Sequence, residues 1–126
     1  MTLLIDSYAL IELFKGTEKG ADVKKLLEKD KNILVSVLSL YEVGFRIEHD
    51  SSRGTAQDYL KSLKTYYTII PVTEDIAQKA VEMRAKFKLP AIDSLIYATA
   101  KLNHAKVVSG CSHFKAISKE ADVIII

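Results

Sequence analysis

Short apolar runs alternate along the chain with longer stretches of helical periodicity. Residues 3–5 (Leu-Leu-Ile) form the first run, and others fall at residues 33–35, 68–71, 106–108 and 123–126. Runs this short and this uniformly apolar predict strands buried on both faces. Between them, apolar residues recur at the spacing of a helix. Residues 8–14 predict a helix that stops at Gly16, and residues 21–29 a second, with Val23, Leu26 and Leu27 as its apolar side. Residues 38–49 read as a helix that is apolar on more than one face. Ser52 can cap a further helix carrying Ala56, Tyr59, Leu60 and Leu63. Thr73, Glu74 and Asp75 supply an N-cap and an acidic first turn, ahead of a stripe of Ile76, Ala80, Met83 and Phe87. Pro90 is suited to open a helix over residues 91–103, because its fixed φ fits the first turn and its missing N–H is not needed there. The stripe expected to be buried there is Ile92, Leu95, Ile96, Thr99 and Leu102, with Ser94 and Lys101 on the far side. A short helical turn is predicted at residues 112–119.

Buried strands alternating with amphipathic helices indicate an α/β fold whose parallel sheet is covered on both faces. In such sheets ligands bind beyond the carboxyl ends of the strands, where strand order reverses. The residues just after the predicted strands therefore matter most: Asp6, Ser36 and the segment from Ser109 to His113.

Composition narrows the class without naming a function. The 126 residues predict a single domain over residues 1–126, long enough to bury about two thirds of its unfolded surface. Hydrophobic residues at 48% and charged residues at 27% are ordinary for a globular protein. No apolar run is long enough to cross a bilayer, and the N-terminus carries no signal-peptide pattern. Cys111 is the single cysteine, which excludes an internal disulfide and a cysteine-only zinc site. The expected location is the cytoplasm. A net charge of +2 does not announce a nucleic-acid binder. The lysine clusters at 24, 25, 29 and 31, and at 86 and 88, read as solvated helix faces.

Three carboxylates stand out by position. Asp6 follows the first strand and serves either as the N-cap of the next helix or as a ligand. Glu42 lies on its helix between Leu38 and Phe45, and on a side shared with Tyr41 and His49. An ionised carboxylate in such surroundings is costly unless paired or metal-bound; an i,i+4 ion pair with Arg46 is the simpler role. Asp93 sits in the first turn of its helix, where it either steadies the helix dipole or faces a cleft. If the three converge, their repulsion raises at least one pKa unless a cation neutralises them. Oxygen ligands select Mg²⁺ or Mn²⁺, and the chemistry this favours is metal-assisted attack of water on a phosphodiester. Other machinery is weak. Ser7 and Ser109 have no His–Asp arrangement behind them, and His49, His104 and His113 are scattered and read as surface or capping residues. None of the five glycines belongs to a phosphate-binding loop. A phosphoaspartyl phosphatase needs an acid where Tyr8 stands, and a receiver domain needs one where Pro71 stands.

Four segments together resemble a known family. LLIDSYALIELF (3–14) is similar to the first strand of a PIN domain with its metal-binding acid. VSVLSLYEV (35–43) is similar to its S-x-x-[ST]-x-x-E element. LPAIDSLIYATA (89–100) is similar to its third-acid helix, and VVSGCSHF (107–114) to the strand and loop that ordinarily read [TS]-x-D-x-x-F. The chain thus resembles a PIN domain, and in its compact length the VapC-type toxins of prokaryotic toxin–antitoxin pairs.

The resemblance implies a three-layer α/β/α fold with strand order 3-2-1-4-5. It also implies a Mg²⁺- or Mn²⁺-dependent endoribonuclease that hydrolyses single-stranded RNA to leave 5′-phosphate and 3′-hydroxyl ends. Asp6, Glu42 and Asp93 would be the metal ligands, Ser109 would orient a water or carboxylate, and Ser7 and Ser39 would lie on the substrate side. An antitoxin partner and a homodimer are implied as well. An apolar surface on the helices at residues 21–27 or 59–63 would suit the dimer. The pattern is broken at one place: Cys111 stands where the fourth acid is expected, and a thiol is a poor ligand for Mg²⁺ or Mn²⁺. The alternative is therefore a catalytically impaired PIN-like module that binds RNA or an antitoxin.

Overall fold

The computed structural model describes residues 1–29 and 32–126. Five parallel strands run in the order β3-β2-β1-β4-β5: β1 (Thr2–Ile5), β2 (Asn32–Ser36), β3 (Thr68–Ile70), β4 (Ala105–Ser109) and β5 (Val123–Ile125). Leu4 of β1 registers with Leu34 on one side and Val107 on the other. Successive strand side chains point to opposite faces, so both faces of the central strands are apolar. Leu3, Ile5, Ile33, Val35 and Val108 face one core, and Leu4, Leu34 and Val107 face the other. That double burial is why the strands read as unbroken apolar runs.

The first core is closed by α1 (Ser7–Lys15), α2 (Glu18–Lys29), α3 (Val37–Asp50) and α4 (Arg53–Tyr66); the second by α5 (Glu74–Phe87), α6 (Ala91–Leu102) and the short α7 (Ser112–Ile117). The result is three layers, α/β/α. Caps fall where side-chain chemistry directs them. Asp6, Ser36, Ser52 and Thr73 each accept a backbone N–H within the first turn of the helix they precede. Of the lysine clusters, Lys31 lies outside the described residues.

Three expectations need correction. On α6 the buried residues are Ser94, Ile96, Tyr97, Ala98, Thr99 and Ala100, whereas Ile92 and Leu102 are exposed. The helix is enclosed by the sheet and α5, so small residues fill the close side and the stripe is wider than periodicity suggested. Ser94 is satisfied locally by donating to the Ala91 carbonyl at 2.6 Å. On α3 the apolar residues divide. Leu40, Val43 and Ile47 are buried, but Tyr41 and Phe45 are 74% and 64% exposed, so the helix is not packed all round. Finally, Leu26, Leu27, Tyr59 and Leu60 are half-buried against the first core, so α2 and α4 offer less outer apolar surface than expected. No helix among the described residues is long and apolar enough to cross a membrane.

Candidate active site

β1 lies between β2 and β4: the chain runs outward from β1 through β2 to β3 and then crosses back to β4, so strand order reverses there and a crevice opens at the carboxyl end of β1. Asp6 is the first residue past β1, and its N–H reaches the Val108 carbonyl of β4 at 3.2 Å. Its Oδ1 accepts from Ala9 N at 2.9 Å. Only 5% exposed, it also takes a hydrogen bond from Ser109 at the end of β4. Asp6 caps α1, as one of its two sequence readings has it, and it also lines the crevice.

A cleft of about 570 Å³ at this point is lined by Asp6, Glu42 and Asp93, from the end of β1, α3 and α6, and by Cys111 and His113. Burial pushes the Asp6 carboxyl up to about 7, and the charges of Asp93 and Glu42 add to the rise, while the bonds from Ala9 N and Ser109 oppose it. Burial also raises Glu42; a bond from Ser7 lowers it and the Asp93 charge raises it further. Asp93 is raised by burial and pulled back by His113. The three acids thus feel one another. A cation among them would relieve that repulsion, and all three offer the hard oxygen donors that Mg²⁺ or Mn²⁺ takes, so the residues fit such an ion.

Other residues took positions the sequence did not indicate. Arg46 pairs with Asp50 at 2.6 Å instead of with Glu42, which leaves Glu42 to Ser7 and the cleft. Ser7 lines the cleft, whereas Ser39 is fully buried, has no hydrogen-bond partner at its hydroxyl and is not part of the lining. Ser39 is therefore withdrawn from direct contact with anything in the cleft, one turn before Glu42 on the inner side of α3. Ser36 is likewise fully buried and spent on capping α3.

His113, read as a surface or capping residue, is exposed and in addition meets Asp93: Nδ1 lies 2.8 Å from Oδ2. The only available signal was its place two residues past the break at Cys111, just after a strand. Phe114, fully buried against Tyr97, anchors α7 and so places the backbone of His113. On the other side of Cys111, Gly110 lies so close to Tyr8 that a Cβ would come within 2.5 Å of the ring. Ser109 Oγ accepts from Cys111 N at 3.1 Å. Among the described residues, the ligand-type group whose atoms all lie within 4.8 Å is Asp93, Cys111 and His113; the three carboxylates do not form such a group. Tyr8 completes the rim, with Lys19 donating to its hydroxyl at 3.0 Å and lying over its ring.

Fold and cleft together define the class of protein. A family model for the PIN domain matches residues 3–120, and the chain belongs to that family. The family is one of nucleases, ribonucleases among them, that generally use a divalent metal ion. Similar solved structures include VapBC and other toxin–antitoxin proteins. A toxin–antitoxin complex from Klebsiella pneumoniae is similar at 25% identity over 98% of this chain and 96% of that one, with a TM-score of 0.80. VapBC2 from Rickettsia felis, bound to a DNA fragment from its promoter, gives 17% identity over 100% and 98%, with a TM-score of 0.77. VapC20 of Mycobacterium tuberculosis, a toxin that cleaves the sarcin–ricin loop, gives 15% over 91% and 94%, with a TM-score of 0.74. No curated protein matches the chain in sequence.

Proposed function

We propose that this protein is the endoribonuclease toxin of a toxin–antitoxin pair, hydrolysing phosphodiesters of single-stranded RNA in the cytoplasm. The observation that carries this reading is the meeting of Asp6, Glu42 and Asp93, from three elements far apart in the chain, in one cleft of a PIN fold. In this reading the three acids hold Mg²⁺ or Mn²⁺, which supplies acidification of a water and neutralisation of charge on the transferring phosphorus. The chain's own groups do the rest. Ser109 and Ala9 N orient Asp6, Ser7 orients Glu42, and exposed Arg46 on the cleft wall approaches the RNA backbone. Purified protein supplied with Mn²⁺ should cut single-stranded RNA, and Asp93→Asn should reduce the rate at least about 100-fold. Cleavage that survives Asp93→Asn would belong to a contaminant and would end the proposal. A second copy of the chain is the proposed partner for the exposed face of α3, where Val37, Tyr41 and Phe45 recur every four residues. A cognate antitoxin is the proposed inhibitor, as in the toxin–antitoxin complexes it resembles.

The second reading, an RNA- or antitoxin-binding module that does not cut, draws on Cys111 at the fourth-acid position. Cys111→Asp distinguishes the two: cleavage found only in that variant favours the inert module.

A further inference from the structure

We infer that Asp93, Cys111 and His113 form a binding site for a divalent cation of the zinc class, and that filling it withdraws Asp93 from the hard-cation set with Asp6 and Glu42. The first half stands on geometry and ligand chemistry alone; the second rests on the nuclease reading above.

The three side chains offer a carboxylate oxygen, a sulfur and an imidazole nitrogen, all within 4.8 Å of one another. A mixed O, S, N set suits Zn²⁺, whose open sites keep three protein ligands and a fourth position for water or substrate. Mg²⁺ takes oxygen and discriminates against such a set. With bonds of about 2.0–2.3 Å in a tetrahedral arrangement, the ligand atoms should stand on the order of 3.5 Å apart, so the widest pair closes by at most about 1 Å while Asp93 and His113, now 2.8 Å apart, open slightly. His113 has that freedom, because its side chain is 56% exposed. The rest of the frame is held. Phe114 is buried on one side of the segment, Gly110 is pressed to the Tyr8 ring on the other, and Asp93 sits in the first turn of the enclosed α6. Cys111 precedes α7 without spending its side chain on a cap. On binding, the thiol releases its proton to solvent, and the bond from His113 to Asp93 is exchanged for two bonds to the ion. An Asp93 carboxylate turned toward Cys111 and His113 no longer completes the set with Asp6 and Glu42.

The test uses the full chain freed of metal by a chelator. Titrated Co²⁺ should give a thiolate-to-cobalt charge-transfer band in the near ultraviolet at one equivalent, and Zn²⁺ should displace it. Cys111→Ser should remove the band and weaken zinc binding at least about 100-fold, and His113→Ala should weaken it at least about 10-fold. Asp6→Asn should leave zinc affinity within about 3-fold, and circular dichroism should report each variant folded. No charge-transfer band, or zinc binding by Cys111→Ser equal to the parent's, overturns the site. With Mn²⁺ present, zinc should suppress RNA cleavage with the midpoint of its binding, and Cys111→Ser should be resistant. Cleavage unaffected by bound zinc overturns the second half. A protein that shows the band but cuts no RNA with Mn²⁺ keeps the zinc site and sinks the nuclease reading instead.

Discussion

Asp6 serves two neighbours with one carboxyl group. It accepts the Ala9 N–H to start α1 and faces Glu42 and Asp93 across the cleft. Its pKa of about 7 stands above the ordinary 3.8, so the folded state holds a proton that the unfolded state gives up. An acid raised in this way contributes stability at low pH that is lost as pH rises toward the folded value. The metal-free protein should therefore be about 3 kcal/mol less stable at pH 7.5 than at pH 5, with Glu42 and Asp93, also raised, acting in the same direction. Urea unfolding in a chelator checks this. Asp6→Asn keeps an oxygen for the cap and should flatten most of the slope; an equally steep slope in that variant would assign the effect to other groups. The residue scale is also where sequence reasoning met its limits. That Asp6 and Asp93 line the cleft was legible from a strand end and a helix entry, and Glu42 from its place among apolar neighbours on α3. The bond between His113 and Asp93 was not, since twenty positions and two elements separate them and no local rule links them. Arg46 could have paired with either Glu42 or Asp50 one turn away; only the cleft, by turning Glu42 toward Ser7, decided for Asp50.

At the scale of elements, strands and caps were readable and helix faces were less so. A strand buried on both sides leaves an apolar run, and a capping hydroxyl stands directly before its helix, so β1 to β5 and the starts of α4 and α5 could be located from the chain alone. The enclosed α6 defeated a stripe argument because it is packed on more than one side. The α1–α2 corner shows how close packing is achieved. Gly20 is buried where a Cβ would sit 2.8 Å from the Glu12 carbonyl carbon and 3.1 Å from Leu13 Cα. Its N–H reaches Thr17 Oγ1 at 3.1 Å. Gly20→Ala must push the two backbones apart and should cost about 1–3 kcal/mol, read as a lower denaturation midpoint with unchanged slope. Since Gly20, Glu12 and Leu13 do not line the cleft, Mn²⁺-dependent cleavage should persist below the new midpoint.

For the whole molecule, the question is which surface is left for a partner. The helices expected to carry an outer apolar face, α2 and α4, half-bury those residues against the core. Exposed aromatics recur on one face of α3, where Phe45 stacks on His49 and Tyr41 stands beside Glu42, while α4 exposes Tyr66 alone at its end. If a second copy docks there, Tyr41→Glu with Phe45→Glu should shift sedimentation from dimer to monomer while leaving unfolding stability within about 0.5 kcal/mol, as expected for exposed positions. A parent chain that sediments as a monomer at micromolar concentration would remove the dimer from the proposal.

The order of the sheet has a consequence for synthesis of the chain. β1 is made first, yet its neighbour β4 and the helix that carries Asp93 come only after residue 90. A polypeptide still emerging from the ribosome therefore holds two acids and half a crevice. The pocket closes only when the final third docks against the oldest strand, so on the proposed reading a chain stalled before that point lacks the third acid and cuts no RNA.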